Sequence, residues 1–214
     1  MIKIGKNISE FSAYSCQPKT KEELVGIIDD RIKKEGTNCD LNDIDTSLIT
    51  NMSYLFAYSG FNGDISKWNT SKVKDMSGMF AMSDFNQPIG DWDVSNVEST
   101  ANMFEATKFN QDISKWNVSN VKYMNCMFYG AKFNKDISNW NVSNVKQMIS
   151  VFRDSDFDKQ ISNWNVGNVT DMYCMFRKSK FNQDISKWKI RNDCNIRHML
   201  VGCPIKEEYK PQIK

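Results

Sequence analysis

Histidine is almost missing from this chain of 214 residues: His198 is the only one, and there are only ten glycines and four prolines. Enzymes work with a nucleophile beside a base, a carboxylate pair in a cleft, or a glycine loop that cradles phosphate. With one histidine, no glycine-rich phosphate loop and carboxylates that recur at regular intervals, none of these is recognisable, and a non-enzymatic chain is expected. No run reaches the roughly 18 apolar residues of a membrane-spanning helix, so no membrane insertion is expected. The segment Met1-Ile2-Lys3-Ile4-Gly5-Lys6-Asn7 has no apolar core of a signal peptide, which points to a cytoplasmic location. An excess of one charge is also lacking, since 28 basic and 26 acidic residues leave a net charge of +2. That balance argues against nucleic acid as a partner. The six cysteines are irregularly spaced, unlike a disulfide framework, and reduced, scattered thiols are expected.

A period is what the sequence has in abundance. Every tryptophan falls on one column of spacing twenty-four: Trp68, Trp92, Trp116, Trp140, Trp164 and Trp188. Phenylalanine fills two more columns, one from Phe56 to Phe176 and one from Phe61 to Phe181, and Phe11 alone lies outside them. Ile65 to Ile185 and Val73 to Val169 repeat at the same interval. A fixed period without insertions puts equivalent side chains in equivalent surroundings, so the large apolar groups stack on their own copies and form one continuous core.

Within a unit two shorter periods coexist. From Trp116 to Val118 apolar residues flank polar Asn117, the alternation of a short strand with one buried face. Val121, Met124, Met127 and Phe128 then fall at helical offsets, with Ser119 as an N-cap and, one unit earlier, Ser95 with Glu98 spaced as a capping box. The Phe109-Asn110 step suits a return loop, because Asn tolerates left-handed backbone. Each unit is therefore expected to run strand, short helix, turn. Lys19 to Lys34 carries Leu24, Ile27, Ile28 and Ile32 at helical spacing before Gly36, as an N-terminal helix would.

The frame Ile113-x-x-Trp116-x-Val118-x-x-Val121 resembles that of leucine-rich repeats. The longer pattern Asp-Ile-Ser-x-Trp-Asn-Val-Ser-Asn-Val-x-x-Met-x-x-Met-Phe is similar to the bacterial surface-protein repeats called BspA-like, a domain of unknown function. The resemblance covers about residues 41 to 200 and implies a horseshoe-like solenoid with a parallel strand ladder, often on exported proteins that engage other proteins or cells. The expected fold class is thus an α/β repeat solenoid, a leucine-rich-repeat-like stack of short parallel strands and short helices with an N-terminal helical cap. Its expected divisions are a capping segment at 1–40, the repeats at 41–200 and a tail at 201–214, frayed from Pro211.

A repeat scaffold presents its outward strand residues as a regular array. The candidate binding residues are therefore those that flank each Trp: Lys67 and Asn69, Asp91 and Asp93, Lys115 and Asn117, Asn139 and Asn141, Asn163 and Asn165, Lys187 and Lys189. The array passes from acidic near Asp91 to basic near Lys187, with amides between, and the expected partner is a peptide or protein of mixed charge. The alternatives are an Asn ladder that satisfies itself and water, a self-associating element, or a cell-surface adhesin exported by an unseen route. A module that binds a different partner is expected to be monomeric on its own.

Two metal readings fail on spacing. Asp64, Asp112, Asp136 and Asp184 invite calcium, but no glycines bend that loop and the six to eight oxygens of a calcium site are not in prospect, so turn capping is the expectation. Cys194, His198 and Cys203 match no standard zinc spacing. No cofactor and no metal is expected. The triplets beginning at Asn69, Asn117, Asn141 and Asn168 match the glycosylation pattern, but the repeat itself produces them.

Overall fold

A computed structural model describes residues 14–212, in which 24-residue coils stack on one another. The coil that begins at Phe109 shows how the sequence makes one. The N–H of Trp116 bonds to the carbonyl of Ile113 (3.1 Å), and that of Val121 to Val118 (3.0 Å). Three overlapping turns follow: Met127 to Met124, Tyr129 to Cys126 and Ala131 to Phe128, at 3.1–3.2 Å. The third residue of two of these turns has a left-handed backbone, Cys126 (φ 55°) and Gly130 (φ 65°).

The alternate N–H groups of this segment leave the coil. Those of Met124, Cys126, Phe128 and Gly130 donate to Gln147, Ile149, Val151 and Arg153 of the next coil, at 2.8–3.1 Å. The equivalent four bonds recur at every junction, from Met52–Asp75 through Lys178–Val201. Parallel bridges mark the same line: Asn51, Asp75, Ser99, Tyr123, Gln147, Asp171 and Asn195. Intracoil turns and intercoil bonds together satisfy the backbone of this segment, as burial requires.

The strand-and-helix unit expected from the sequence does not form. Among the described residues the only α-helix is α1 (Lys21–Glu35), and the parallel pairing consists of isolated bridges, not strands. A leucine-rich-repeat-like stack of strands and helices is thereby overturned. The offsets of Val121, Met124, Met127 and Phe128 were compatible with a helix because a chain of i→i+3 turns also returns apolar residues about every third position. What prevents the helix is the left-handed residue at Cys126 and the export of every second N–H. Trp116 to Val118 does alternate buried and exposed, but a tight turn closes on each side and the bridges run through Tyr123 instead. Ser119 caps no helix: its own N–H donates to Asn117 Oδ1 (3.2 Å). Glu98 likewise serves no capping box and pairs with Lys122 (2.7 Å).

The aromatic columns stack as their period demands. Phe104 lies 5.7 Å from Phe128 and Trp116 6.3 Å from Trp140, in both cases with nearly parallel planes. Within a coil Phe104 and Phe109 are closer, at 4.1 Å. These separations with parallel planes are offset stacks, which the ring quadrupole prefers. Each indole N–H also finds a partner inside, as Trp116 Nε1–H donates to the Ile89 carbonyl (3.0 Å) and Trp140 to Ile113 (3.1 Å). The Phe-Asn step makes a second tie without left-handed backbone: the N–H of Asn110 bonds to Asn86 Oδ1, and that of Asn134 to Asn110 Oδ1, both at 2.9 Å.

Helix α1 forms because Thr20 caps it, accepting from the Glu23 N–H (3.2 Å), while Glu22 and Glu23 face its positive end and Lys33 and Lys34 its negative end. Gly36 (φ 89°) ends it. Leu24 and Ile28 join the core over the first coil, with Lys21 Nζ on Ser53 Oγ (2.8 Å) and Arg31 on Asp43 (3.0 Å). At the other end residues 205–209 start over the last coil, with Ile185 N–H donating to the Tyr209 carbonyl (3.0 Å) and Ile205 buried. Of the expected frayed end, Pro211 is buried and residues 213–214 lie outside the described range. The Met1–Asn7 segment lies outside it too. No helix of the described residues is long and apolar enough to cross a membrane.

Candidate interaction surface

All twelve residues singled out beside the tryptophans are exposed: Lys67, Asn69, Asp91, Asp93, Lys115, Asn117, Asn139, Asn141, Asn163, Asn165, Lys187 and Lys189. Strict alternation with the buried Trp and the following residue puts them outside. They form two columns of different character.

The column after each Trp is held rigidly. Oδ1 of Asn69, Asp93, Asn117, Asn141 and Asn165 accepts the N–H two residues on, at 3.0–3.2 Å. This closes an Asx turn and leaves the four Asn amide NH2 groups pointing outward as donors. Ser95 holds the Asp93 carboxyl below the usual carboxylate range, through its side chain and then its backbone N–H. Part of the expected self-satisfaction of the Asn residues is thus real, but it takes one side-chain oxygen and not the amide nitrogen.

The column before each Trp is looser. Lys115 pairs with Asp91 at 3.3 Å, with both side chains more than three-quarters exposed, a contact worth little in water. Asn139 and Asn163 make no side-chain hydrogen bond among the described residues. Asp91 and Lys115 line an open hollow of about 240 Å³ with Pro88, Gly90, Gln111 and Asp112. Lys187 and Lys189 line another of about 430 Å³ beside Trp188. The structure brings each pair together and places the acidic and basic pairs at separate points along the stack.

The aspartates considered for calcium close turns. Oδ1 of Asp64, Asp112, Asp136 and Asp184 accepts the N–H of Ser66, Ser114, Ser138 and Ser186 at 2.8–2.9 Å. That bond to Ser114 lowers the Asp112 carboxyl below its ordinary value. Cys194 is buried, and burial pushes its thiol up to about 11, which disfavours the thiolate that zinc binds. Among the described residues no three His, Cys, Asp or Glu side chains gather as a metal site would need.

A second surface was not anticipated. On the turns that carry the left-handed residues, Tyr54, Tyr58 and Met82 are exposed by 54%, 74% and 48%, two aromatic side chains and a thioether of the size that interface anchors have. The Tyr54 ring lies directly over Gly78, where an added Cβ would come within 2.2 Å of it. Farther along the same face Arg153 sits over the Tyr129 ring at 5.3 Å. Reading these positions as one side of a helix hid them; read as repeat columns, Tyr54 and Tyr58 stand out because they are large and do not recur.

No curated protein and no solved structure matches the chain. A family model does, first over residues 30–132 and again over residues 113–210, which together span most of the coils. With that double match on a repeating sequence, the chain belongs to the family described as Mycoplasma protein of unknown function, DUF285.

Proposed function

We propose that this chain is a protein-protein interaction module, not an enzyme, and that it holds a peptide or protein partner along the polar columns beside the tryptophans. The observation that carries this reading is the row of outward amides at Asn69, Asn117, Asn141 and Asn165, each oriented by a turn bond to its oxygen. Donors fixed before binding lose little side-chain entropy on contact, which favours affinity. Asp91 and Asp93, one coil in from Lys67 and Asn69, and Lys187 and Lys189 at the far end add a charge order that sets the partner's direction. The similarity of the Trp-Asn-Val-Ser-Asn-Val frame to BspA-like surface repeats supports the same reading.

The test is affinity capture from lysate of the source cells and of any host, with wild-type protein beside Asn139→Arg/Asn163→Arg. Both side chains are free of internal bonds, so the variant should melt within about 0.5 kcal/mol of the wild type. A partner retained by the wild type and lost by the variant is the expected result. Identical captured sets, or concentration-dependent self-association as the only binding seen, would overturn the reading.

A further inference from the structure

The turns that carry the left-handed residues build one continuous face along the stack. Tyr58, Met82, Ala106, Gly130, Asp154 and Lys178 occupy the same place in successive coils. Each of the first five is tied to the next coil by its N–H, from Tyr58 on Ala81 through Asp154 on Arg177, at 2.7–2.9 Å. In the neighbouring column the N–H groups, from Ala57 to Arg177, close turns within their own coils. Both columns therefore have their backbone donors engaged, and a partner meets side chains here, not a ladder. Five steps of about 4.8 Å separate Tyr58 from Lys178, about 24 Å in all.

The side chains are sorted along that length. At one end the exposed Tyr54, Tyr58 and Met82 form an apolar platform, with the Tyr54 ring laid over Gly78. The small Ala106 and Gly130 follow, and cations gather beyond them. Arg153 and Arg177 hold equivalent positions in adjacent coils, and Lys178 is the next residue. Arg153 lies over the Tyr129 ring (5.3 Å) and pairs with Asp154 (3.1 Å). Arg177 is half-buried and pairs with no carboxylate among the described residues; its Nη1 lies 3.9 Å from Cys174 Sγ, and its Nε is buried without an acceptor. Lys178 is exposed and forms no ion pair among the described residues.

This arrangement is short of anionic oxygens. Like charges that face each other across paired segments are destabilising, and an Arg withdrawn from water is ordinarily matched by a carboxylate. The other carboxylates nearby are engaged elsewhere, Asp156 with Lys132 and Lys180, and Asp171 with the Tyr173 N–H and Asn195. A guanidinium fork takes a carboxylate in two parallel bonds. The cations are confined to one end, so a uniform polyanion would leave the tyrosine platform without a use. A partner that is apolar at one end and acidic at the other matches both.

We infer that this face binds a segment of a partner protein with apolar or aromatic side chains at one end and carboxylates at the other. The apolar part covers Tyr58 and Met82, the carboxylates sit on Arg177 and Lys178, and about seven extended residues span the distance. This surface is separate from the columns beside the tryptophans and does not depend on them.

The test uses the full chain and labelled, blocked decapeptides in which Trp-Leu and Glu-Glu-Glu are joined by a Ser and Ala spacer, made in both chain directions. A counterpart carries Lys in place of Glu. Fluorescence anisotropy should show saturable binding of an acidic peptide below about 1 mM, in at least one direction, and binding of the Lys counterpart at least about tenfold weaker. Arg177→Glu/Lys178→Glu should weaken the acidic peptide about tenfold or more, and Tyr58→Ser about threefold or more. Lys135→Glu/Lys159→Glu makes the same change of charge at exposed loop positions and should stay within about twofold. Melting midpoints check the folding of each variant, and Arg177→Gln replaces the charge reversal if that lowers the midpoint. Equal binding of the Lys counterpart, an equal loss in the loop variant, no binding by about 1 mM, or tighter binding of a single-stranded oligonucleotide or of anionic vesicles than of the acidic peptide would each overturn the inference.

Discussion

Among single residues, the unusual feature is how many lack glycine's freedom yet sit in left-handed backbone. Tyr54, Tyr58, Met82, Asn102, Ala106, Cys126, Ser150, Asp154, Cys174, Lys178 and His198 all have φ between 52° and 60°. Such a residue costs about 1–2 kcal/mol relative to its right-handed form, and the stack tolerates it because every one of them except His198 also donates its N–H across a junction. Ala106 and Gly130 occupy the same column one coil apart, and a Cβ at Gly130 would meet only ordinary contacts with Ala106, at 3.8–3.9 Å. Ala106→Gly should therefore stabilise the chain by about 0.5–1 kcal/mol, the relief of strain less the entropy glycine gains when unfolded. Gly130→Ala should destabilise by a similar amount. Urea unfolding of both variants checks this, and the same sign for the two would refute it. Nothing in the sequence marked these positions, since their residue types range from Tyr to Lys.

In a single coil the stabilising unit is the set of stacked rings with its internal bonds. Trp116 is 3% exposed, stacks on Trp140 and donates to the Ile89 carbonyl. Trp116→Ala removes the ring, leaves a cavity and takes from that carbonyl one of its two donors, the other being the Trp92 N–H, for an expected loss of about 3–5 kcal/mol. Thermal and urea melts measure it, and an unchanged midpoint would contradict the packing described. The twenty-four-residue columns predicted this core from the sequence, and Phe56, Phe61, Trp68 and their copies are indeed buried. The secondary structure was not legible in the same way. Turns of three and a helix give similar apolar spacing, and only the destination of each N–H distinguishes them. The candidate binding columns were legible as exposed, because alternation with a buried Trp is a local property. The turn bonds that orient Asn117 and its copies were not.

For the molecule as a whole, repetition multiplies small effects. Asp112, Asp136 and Asp184 all have carboxyls held below the ordinary range by hydrogen bonds from the serine two residues on. Asp64 is lowered too, with burial opposing and the Ser66 bonds prevailing. A folded pKa below the unfolded one gives stability that is complete above the unfolded value of about 3.9 and is lost as the pH falls through the folded value. The melting temperature should thus decline together for all coils as the solution is taken from about pH 5 to about pH 2.5. Asp112→Asn/Asp136→Asn keeps an oxygen for each turn but cannot titrate, so its decline should be shallower. Parallel curves for variant and wild type would show that these turns do not set the acid limit.

The sequence by itself determined the period, the identity of the stacked core, the exposure of the columns beside each Trp and helix α1, because these depend on local spacing and on which side chains avoid water. Only the tertiary structure decided that the units are turns and not strand and helix. The reason is that every second N–H in the segment from Met124 to Gly130 is satisfied by a residue twenty-three positions away. The same long-range bonding left the donors of the last coil, from Ile196 to Gly202, without acceptors among the described residues. No local pattern could have revealed this, since those residues occupy the same columns as their paired copies.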